Sequence, residues 1–191
     1  MPYTYKYPHP AIATDCVIFA LDGQQLKVLL IERKFDPYKG HWAFPGGYLE
    51  IDESAEQGAL RELQEETGME QATIHQFHTF SSPDRDPRER VVSIAHYALV
   101  RMQDVCGADD AALARWFNLS DLCEAIVSKS TPPLAFDHEE MLARACQALL
   151  DLLRLRPETV TSQKEHFTIG ELKQVTHELT MAAHSLQPPQ Q

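Results

Sequence analysis

No stretch of this sequence is apolar for long enough to cross a bilayer. Runs such as VIFAL (17–21) and VLLI (28–31) fall far short of the roughly 18 residues that a spanning helix needs. The N-terminus MPYTYKYPHP lacks the continuous apolar core of a signal peptide. Cysteine is sparse: Cys16, Cys106, Cys123 and Cys146 lie far apart, with no C-x-x-C pair. That excludes a disulfide framework or a zinc site and fits reduced thiols. Positive charge is also short, with 17 Lys+Arg against 28 Asp+Glu and a formal net charge of −11. Such a surface repels phosphate polymers and anionic lipid, so no nucleic-acid and no membrane partner is expected. It is compatible with a site that concentrates divalent metal. A cytoplasmic protein is the expectation. At 191 residues it has room for one domain, or one domain plus a short appendage.

What is present alternates between strands and helices. ATDCVIFAL and QLKVLLIER flank Asp22-Gly23, a hairpin signal, and their near-continuous apolar character predicts strands buried on both faces. WAFPGGYL reads as a short strand broken by Gly46-Gly47. Residues 54–67 form the clearest helix, with Ser54 and Gln57 as capping box and Gly68 as the left-handed stop. Strands are expected at 72–80, 91–100 and 114–117, and a helical turn at 120–127. A helix over 138–155 has Asp137 and Glu140 as its caps and Phe136 and Met141 as a hydrophobic staple. Residues 157–166 read as a linker. A last helix follows, with Thr168 and Glu171 as capping box and Phe167 and Leu172 as staple. Tyr3, Tyr5 and Tyr7 fit either a loose arm or an edge strand. Strands first, with helices between and after them, indicate an α/β sandwich.

The chemistry concentrates in GYLEIDESAEQGALRELQEETGM, residues 47–69. At 100° per residue, Glu62, Glu65 and Glu66 fall within about one quadrant of the helix. Ala59, Leu60 and Leu63 mark the buried stripe, so the acids lie at the border of core and solvent. Glu53, just ahead of the helix, can fold back toward them. Like charges this close cost a few tenths of a kcal/mol per pair. A hard divalent cation would offset that repulsion, and carboxylate oxygens suit magnesium or manganese. Arg61 can hold one carboxylate in place.

Gly47, five residues, Glu53, seven residues, then Arg61-Glu62-Leu63-x-Glu65-Glu66-x-Gly68-Met69 resembles the complete signature of the Nudix hydrolases, without departure. The resemblance implies a Nudix fold, an α/β/α sandwich with a mixed β-sheet, over residues 1–156, with 157–191 as linker plus a helix. It implies hydrolysis of a nucleoside diphosphate linked to another group. Glu62, Glu65 and Glu66 would ligate Mg²⁺ or Mn²⁺, Gly46 would offer its carbonyl, and Arg61 and Glu53 would buttress the helix.

Downstream, SSPDRDPRERVVSIAHYAL (81–99) is similar to the ADP-ribose pyrophosphatases and to the related NAD-metabolism regulators that carry a Nudix-like domain. DDAALARWF (109–117) and LAFDHEEML (134–142) extend that likeness to roughly residues 3–155. Pro83 falls close to where those hydrolases commonly carry a proline. Arg85, Arg88 and Arg90 stand on one loop and suit bidentate phosphate contact, or pair locally with Asp84, Asp86 and Glu89. Arg85 and Arg88 are the substrate-binding candidates. Trp42, Phe44 and Tyr48 could stack a base, although strand aromatics more often belong to the core. His138 reads as structural. Asp109, Asp110 and Glu139 are open choices for a further acid. The expected activity is ADP-ribose to AMP and ribose 5-phosphate, with another nucleoside diphosphate sugar or NADH as alternatives. An ADP-ribose-sensing regulator is the other reading. FTIGELKQVTHELTM (167–181) resembles the opening helix of the regulators' winged module, but no recognition helix follows and no arginine occurs after Arg156. Family members commonly dimerise, so a homodimer is expected.

Overall fold

The computed structural model describes residues 5–107, 111–130, 133–156 and 167–186. Tyr3, Asp109, Asp110, the 157–166 linker and the final QPPQQ lie outside them. Strand β1 (Ala11–Asp22) and strand β2 (Gln25–Arg33) form the hairpin, with Asp22 opposite Gln25. The loop is therefore Gly23-Gln24 rather than Asp22-Gly23. Gly23, with φ of 61°, takes the first central position, where a left-handed residue costs glycine little. Strand β3 (Trp42–Ala43) pairs with β2 and strand β4 (Gly46–Tyr48) with β1. The break falls at Phe44-Pro45, where the chain changes partners, and the two glycines belong to β4.

Helix α1 (Ala55–Thr67) follows, then β5 (His75–Phe80), β6 (Val91–Arg101) and β7 (Ala111–Asn118). Helices α2 (Leu119–Ser128), α3 (His138–Leu155) and α4 (Ile169–Ser185) complete the described chain. The sheet runs β3-β2-β1-β6-β5, with β4 on β1 and β7 on β2. Strand β1 is parallel to β6 over its length and antiparallel to β2 and β4, so the sheet is mixed. Both faces of β1 are buried, as its apolar run requires. Cys16, Ile18 and Ala20 pack with Ala59 and Leu63 of α1 on one side. Val17, Phe19 and Leu21 pack with α3 and α4 on the other. This is the α/β/α sandwich.

One helix start differs from its sequence pattern. Asp137 occupies the N-cap of α3 but makes no side-chain cap hydrogen bond. Its carboxylate is engaged by Arg85 instead, and Glu140 pairs with Arg144. Phe136 and Met141 sit in separate apolar clusters, so no staple forms. At α4 both devices are present: Thr168 and Glu171 make the capping box, and Phe167 and Leu172 join one cluster. Residues 119–128 form a whole helix rather than a turn.

Helix α4 is part of the main core. Val175 and Leu179 are fully buried there, and Arg101 holds its first turn through Glu171 and the Phe167 ring. Leu179→Ala is expected to cost about 2–5 kcal/mol, read as a fall in the unfolding midpoint. A helix merely resting on the surface would give less than about 1 kcal/mol.

Candidate functional site

Strand β4 and helix α1 build the acidic centre. Ser54 and Gln57 form a reciprocal capping box and Gly68 closes the helix with φ of 73°. Both ends of the motif helix are thus fixed by local chemistry. Glu66 is 5% exposed, and its Oε2 accepts the Gly46 backbone N–H at 2.9 Å. Glu62 is half-buried and Glu65 exposed. The three carboxylates therefore step from core to solvent along one face.

Arg61 organises this cluster. It donates to both Glu53 oxygens at 2.7 and 3.0 Å, to Glu62 at 2.9 Å, to Glu65 at 3.0 Å and to the Tyr48 carbonyl at 3.1 Å. Glu53 also accepts the Glu50 N–H at 2.8 Å. Hydrogen bonding to Arg61 holds Glu53 below the ordinary carboxylate range. A Cβ at Gly47 would collide with the Glu62 carboxylate and displace it. Gly46 is more confined, because a Cβ there would meet the Thr14 backbone carbonyl oxygen.

A cavity of about 400 Å³ opens over Gly46, Gly47, Arg61, Glu62 and Glu66, while Glu53 and Glu65 do not line it. Its far wall comes from four other segments, and they bring residues that the sequence reading did not single out as functional. Asp15 of β1 is 8% exposed and accepts from the Ser93 hydroxyl. Arg85 is 7% exposed. It makes a bidentate pair with Asp137 at 2.7 and 3.0 Å and lies 3.7 Å from Asp15. Burial works against its charge, yet the Asp137 hydrogen bonds and Asp15 hold it protonated more firmly than usual. Arg88 grips Asp86 at 2.7 and 3.0 Å, a local pair. Arg90 donates to the Ser82 and Val91 carbonyls and does not line the cavity. His138 does line it. Its Nδ1 accepts the Phe44 N–H at 3.0 Å, so its proton sits on Nε2, 3.6 Å from Asp15. Burial pushes its pKa down. Arg33 and Phe136 complete the wall.

Among the proposed aromatics, Phe44 is core, 1% exposed and stacked on His138. Trp42 packs edge-on against Phe117. Tyr48 stands at the cavity rim with Arg88 5.3 Å from its ring centroid. Glu139 does not line the cavity. Asp15 had one signal in sequence: a lone acid inside an apolar strand.

The donor set suits a hard cation. Glu62 and Glu66 present carboxylates to the cavity beside the Gly46 backbone, and Gly47 leaves the space they need. Among the described residues, no three acidic, His or Cys side chains already converge as a finished cage, because Arg61 holds Glu62 and Glu65. Burial first, then Glu62 and Asp15, push the Glu66 carboxyl up to about 8, against the opposing Gly46 N–H.

That shift has a sign. In the unfolded chain Glu66 ionises in the ordinary carboxylate range, whereas the folded protein keeps the proton until about pH 8. The unfolded state binds fewer protons across this window, so the group's contribution to stability falls as pH rises. Melts in chelator from pH 5 to 8 should show wild type losing a few kcal/mol relative to Glu66→Gln. A gap independent of pH would contradict the shift.

Residues 9–145 match the NUDIX domain. The chain is 40% identical to the ADP-ribose pyrophosphatase of Methanocaldococcus jannaschii over 136 residues, 71% of this chain and 73% of that protein. It is 30% identical to an ADPR-responsive transcriptional repressor of Acinetobacter baylyi, covering 88% of this chain and 66% of the repressor's length. The crystallised NUDIX domain of Shewanella oneidensis NrtR, complexed with ADP ribose, superposes with a TM-score of 0.69. It has 33% identity and covers 77% of this chain and 94% of that one. With an unbroken motif on a capped helix, in the mixed sandwich that the motif implies, the chain belongs to the Nudix family.

Proposed function

We propose that this protein hydrolyses the diphosphate bond of ADP-ribose, giving AMP and ribose 5-phosphate. The observation that carries the reading is the pair of α1 carboxylates Glu62 and Glu66 facing a cavity that also holds four arginines. Acids alone would suit a cation, and arginines alone an anion; both together suit a metal-bound diphosphate. The likeness to an ADP-ribose pyrophosphatase and to an ADP-ribose-bound domain supplies the substrate.

Glu62, Glu65 and Glu66, with the Gly46 carbonyl, would hold Mg²⁺ or Mn²⁺. Bound there, the ion neutralises diphosphate charge and makes a water acidic enough to attack phosphorus near neutral pH. Arg61, itself held by Glu53, orients Glu62 and Glu65, and its hydrogen bonds to them fix their spacing. Arg85 lends positive potential from the wall, where Asp15 and Asp137 hold it. Arg88, exposed beside Tyr48, is the more accessible substrate contact. Pre-set positions of this kind lower the reorganisation needed as charge develops.

No helix among the described residues is long and apolar enough to cross a membrane. All four cysteines are free thiols, which fits action in the cytoplasm. A homodimer completes the proposal. The repressor relative favours a second reading, an ADP-ribose sensor. The test is AMP release from ADP-ribose beside NADH, UDP-glucose, dGTP and Ap4A, with DNA retention measured at physiological salt. A clear preference for ADP-ribose without sequence-specific DNA retention supports hydrolysis. Retention on a defined DNA sequence supports the sensor.

A further inference from the structure

The cavity's cations are unequally engaged. Arg61 holds Glu53, Arg85 holds Asp137, and Arg88 holds Asp86. Arg33, the fourth guanidinium on the wall, has no carboxylate within ion-pair distance among the described residues. Its Nε donates to the Pro37 carbonyl at 2.8 Å. Its terminal nitrogens make no hydrogen bond to a described residue. The Phe136 ring backs the guanidinium, with 4.8 Å from Cζ to the centroid. A cationic fork locked at one edge and on one face, with its outer edge left over, is arranged for a bidentate oxyanion.

Three further features hold it there. The pairing of β2 with β7 shifts register between Glu32 and Arg33, and such an irregularity re-aims the side chain beside it. Phe136 and Tyr38 both adopt left-handed backbone, with φ of 55° and 64°. They are aromatic residues, for which that region is strained. Their rings meet edge to face at 4.8 Å. Strain of this kind persists only where surrounding structure enforces it, and it concentrates at ligand clamps. Burial, and then Arg88 nearby, also weaken the hold of Arg33 on its proton. An arriving anion would offset that charge penalty.

We infer that Arg33, backed by the Phe136 ring, is the residue that receives the substrate's diphosphate. This deepens the hydrolase reading and rests on it. Glu62 and Glu66 face the same cavity from the α1 side, so a diphosphate would lie between a metal on one wall and the Arg33 fork on the other. Arg33 binds rather than reacts: it holds the anion equally well before and during reaction, and acts on KM rather than kcat.

The probes are inorganic pyrophosphate, titrated calorimetrically with Mg²⁺ present, and ADP-ribose turnover. Arg33→Gln should weaken pyrophosphate binding and raise the ADP-ribose KM about tenfold to a hundredfold, as loss of charge-assisted hydrogen bonds implies. Its kcat should stay within about threefold, and its melting point and adenosine affinity should match wild type. Arg33→Lys, which keeps the charge but loses the fork, should fall between. Unchanged pyrophosphate affinity in Arg33→Gln overturns the inference. So does a loss confined to kcat, or wild type that fails to bind pyrophosphate. If wild type does not turn over ADP-ribose while pyrophosphate binding still depends on Arg33, the substrate reading fails and the anion hook stands.

Discussion

Glu66→Gln should lower ADP-ribose turnover by about 10³-fold or more while leaving the fold intact. Glu66 is the most buried of the three motif carboxylates and is tied to the Gly46 backbone. A metal held there supplies several kcal/mol of charge stabilisation, and each 1.4 kcal/mol is about tenfold in rate. The amide keeps the shape and the backbone hydrogen bond but cannot bind a cation strongly. It also removes a buried carboxyl whose ionisation the fold resists. Activity and stability should therefore move in opposite directions, with the variant gaining stability over wild type in chelator as pH rises to about 8. Glu65, exposed and bonded among the described residues to Arg61 alone, should show a smaller loss when changed to Gln. Equal losses at both positions would mean that burial does not rank the ligands.

Arg85→Met should be the most destabilising change in the cavity wall. Arg85 is 7% exposed and sits between Asp137 and Asp15. Removing it strands two carboxylates beside a neutral His138, and breaking a buried pair from one side costs about 3–5 kcal/mol. For a chain of this size that corresponds to a fall in Tm of roughly 10 °C or more. Asp137→Asn in the same protein should recover part of the loss, because the stranded charge is then gone. A double-mutant cycle followed by thermal melts reads the coupling directly. If Arg85→Met melts like wild type, the buried pair contributes nothing, and Arg85 acts only on ligands.

These two sites differ in how far sequence alone could reach them. The α1 cluster was legible because its parts lie within one local segment. Spacing along a single helix put Glu62, Glu65 and Glu66 on one face, and the caps at Ser54 and Gly68 fixed its ends. The same locality made Arg61 readable as their holder. The far wall was legible only in part, through Arg85 and Arg88 on one arginine-rich loop. Asp15, Arg33 and Asp137, which complete the wall or hold Arg85, come from separate segments joined through long-range pairings such as β1 with β6. Asp137 shows the difficulty plainly. Its position before α3 reads as a cap, and only the folded chain reveals a distant arginine that competes for its oxygens. Tyr38 and Phe136 gave no signal, since nothing in residue type marks an aromatic for left-handed backbone. The hairpin shift to Gly23-Gln24 has a smaller cause: both turns fit the local chemistry, and pairing register decides between them.

Turnover set against binding tests the central claim most directly. Wild-type protein with Mg²⁺ would be given ADP-ribose, with AMP release and calorimetric affinity measured on the same preparation. The α1 geometry predicts rapid release of AMP, abolished in Glu66→Gln. Tight binding without turnover would contradict it, and would make this a sensor that keeps a complete set of catalytic carboxylates.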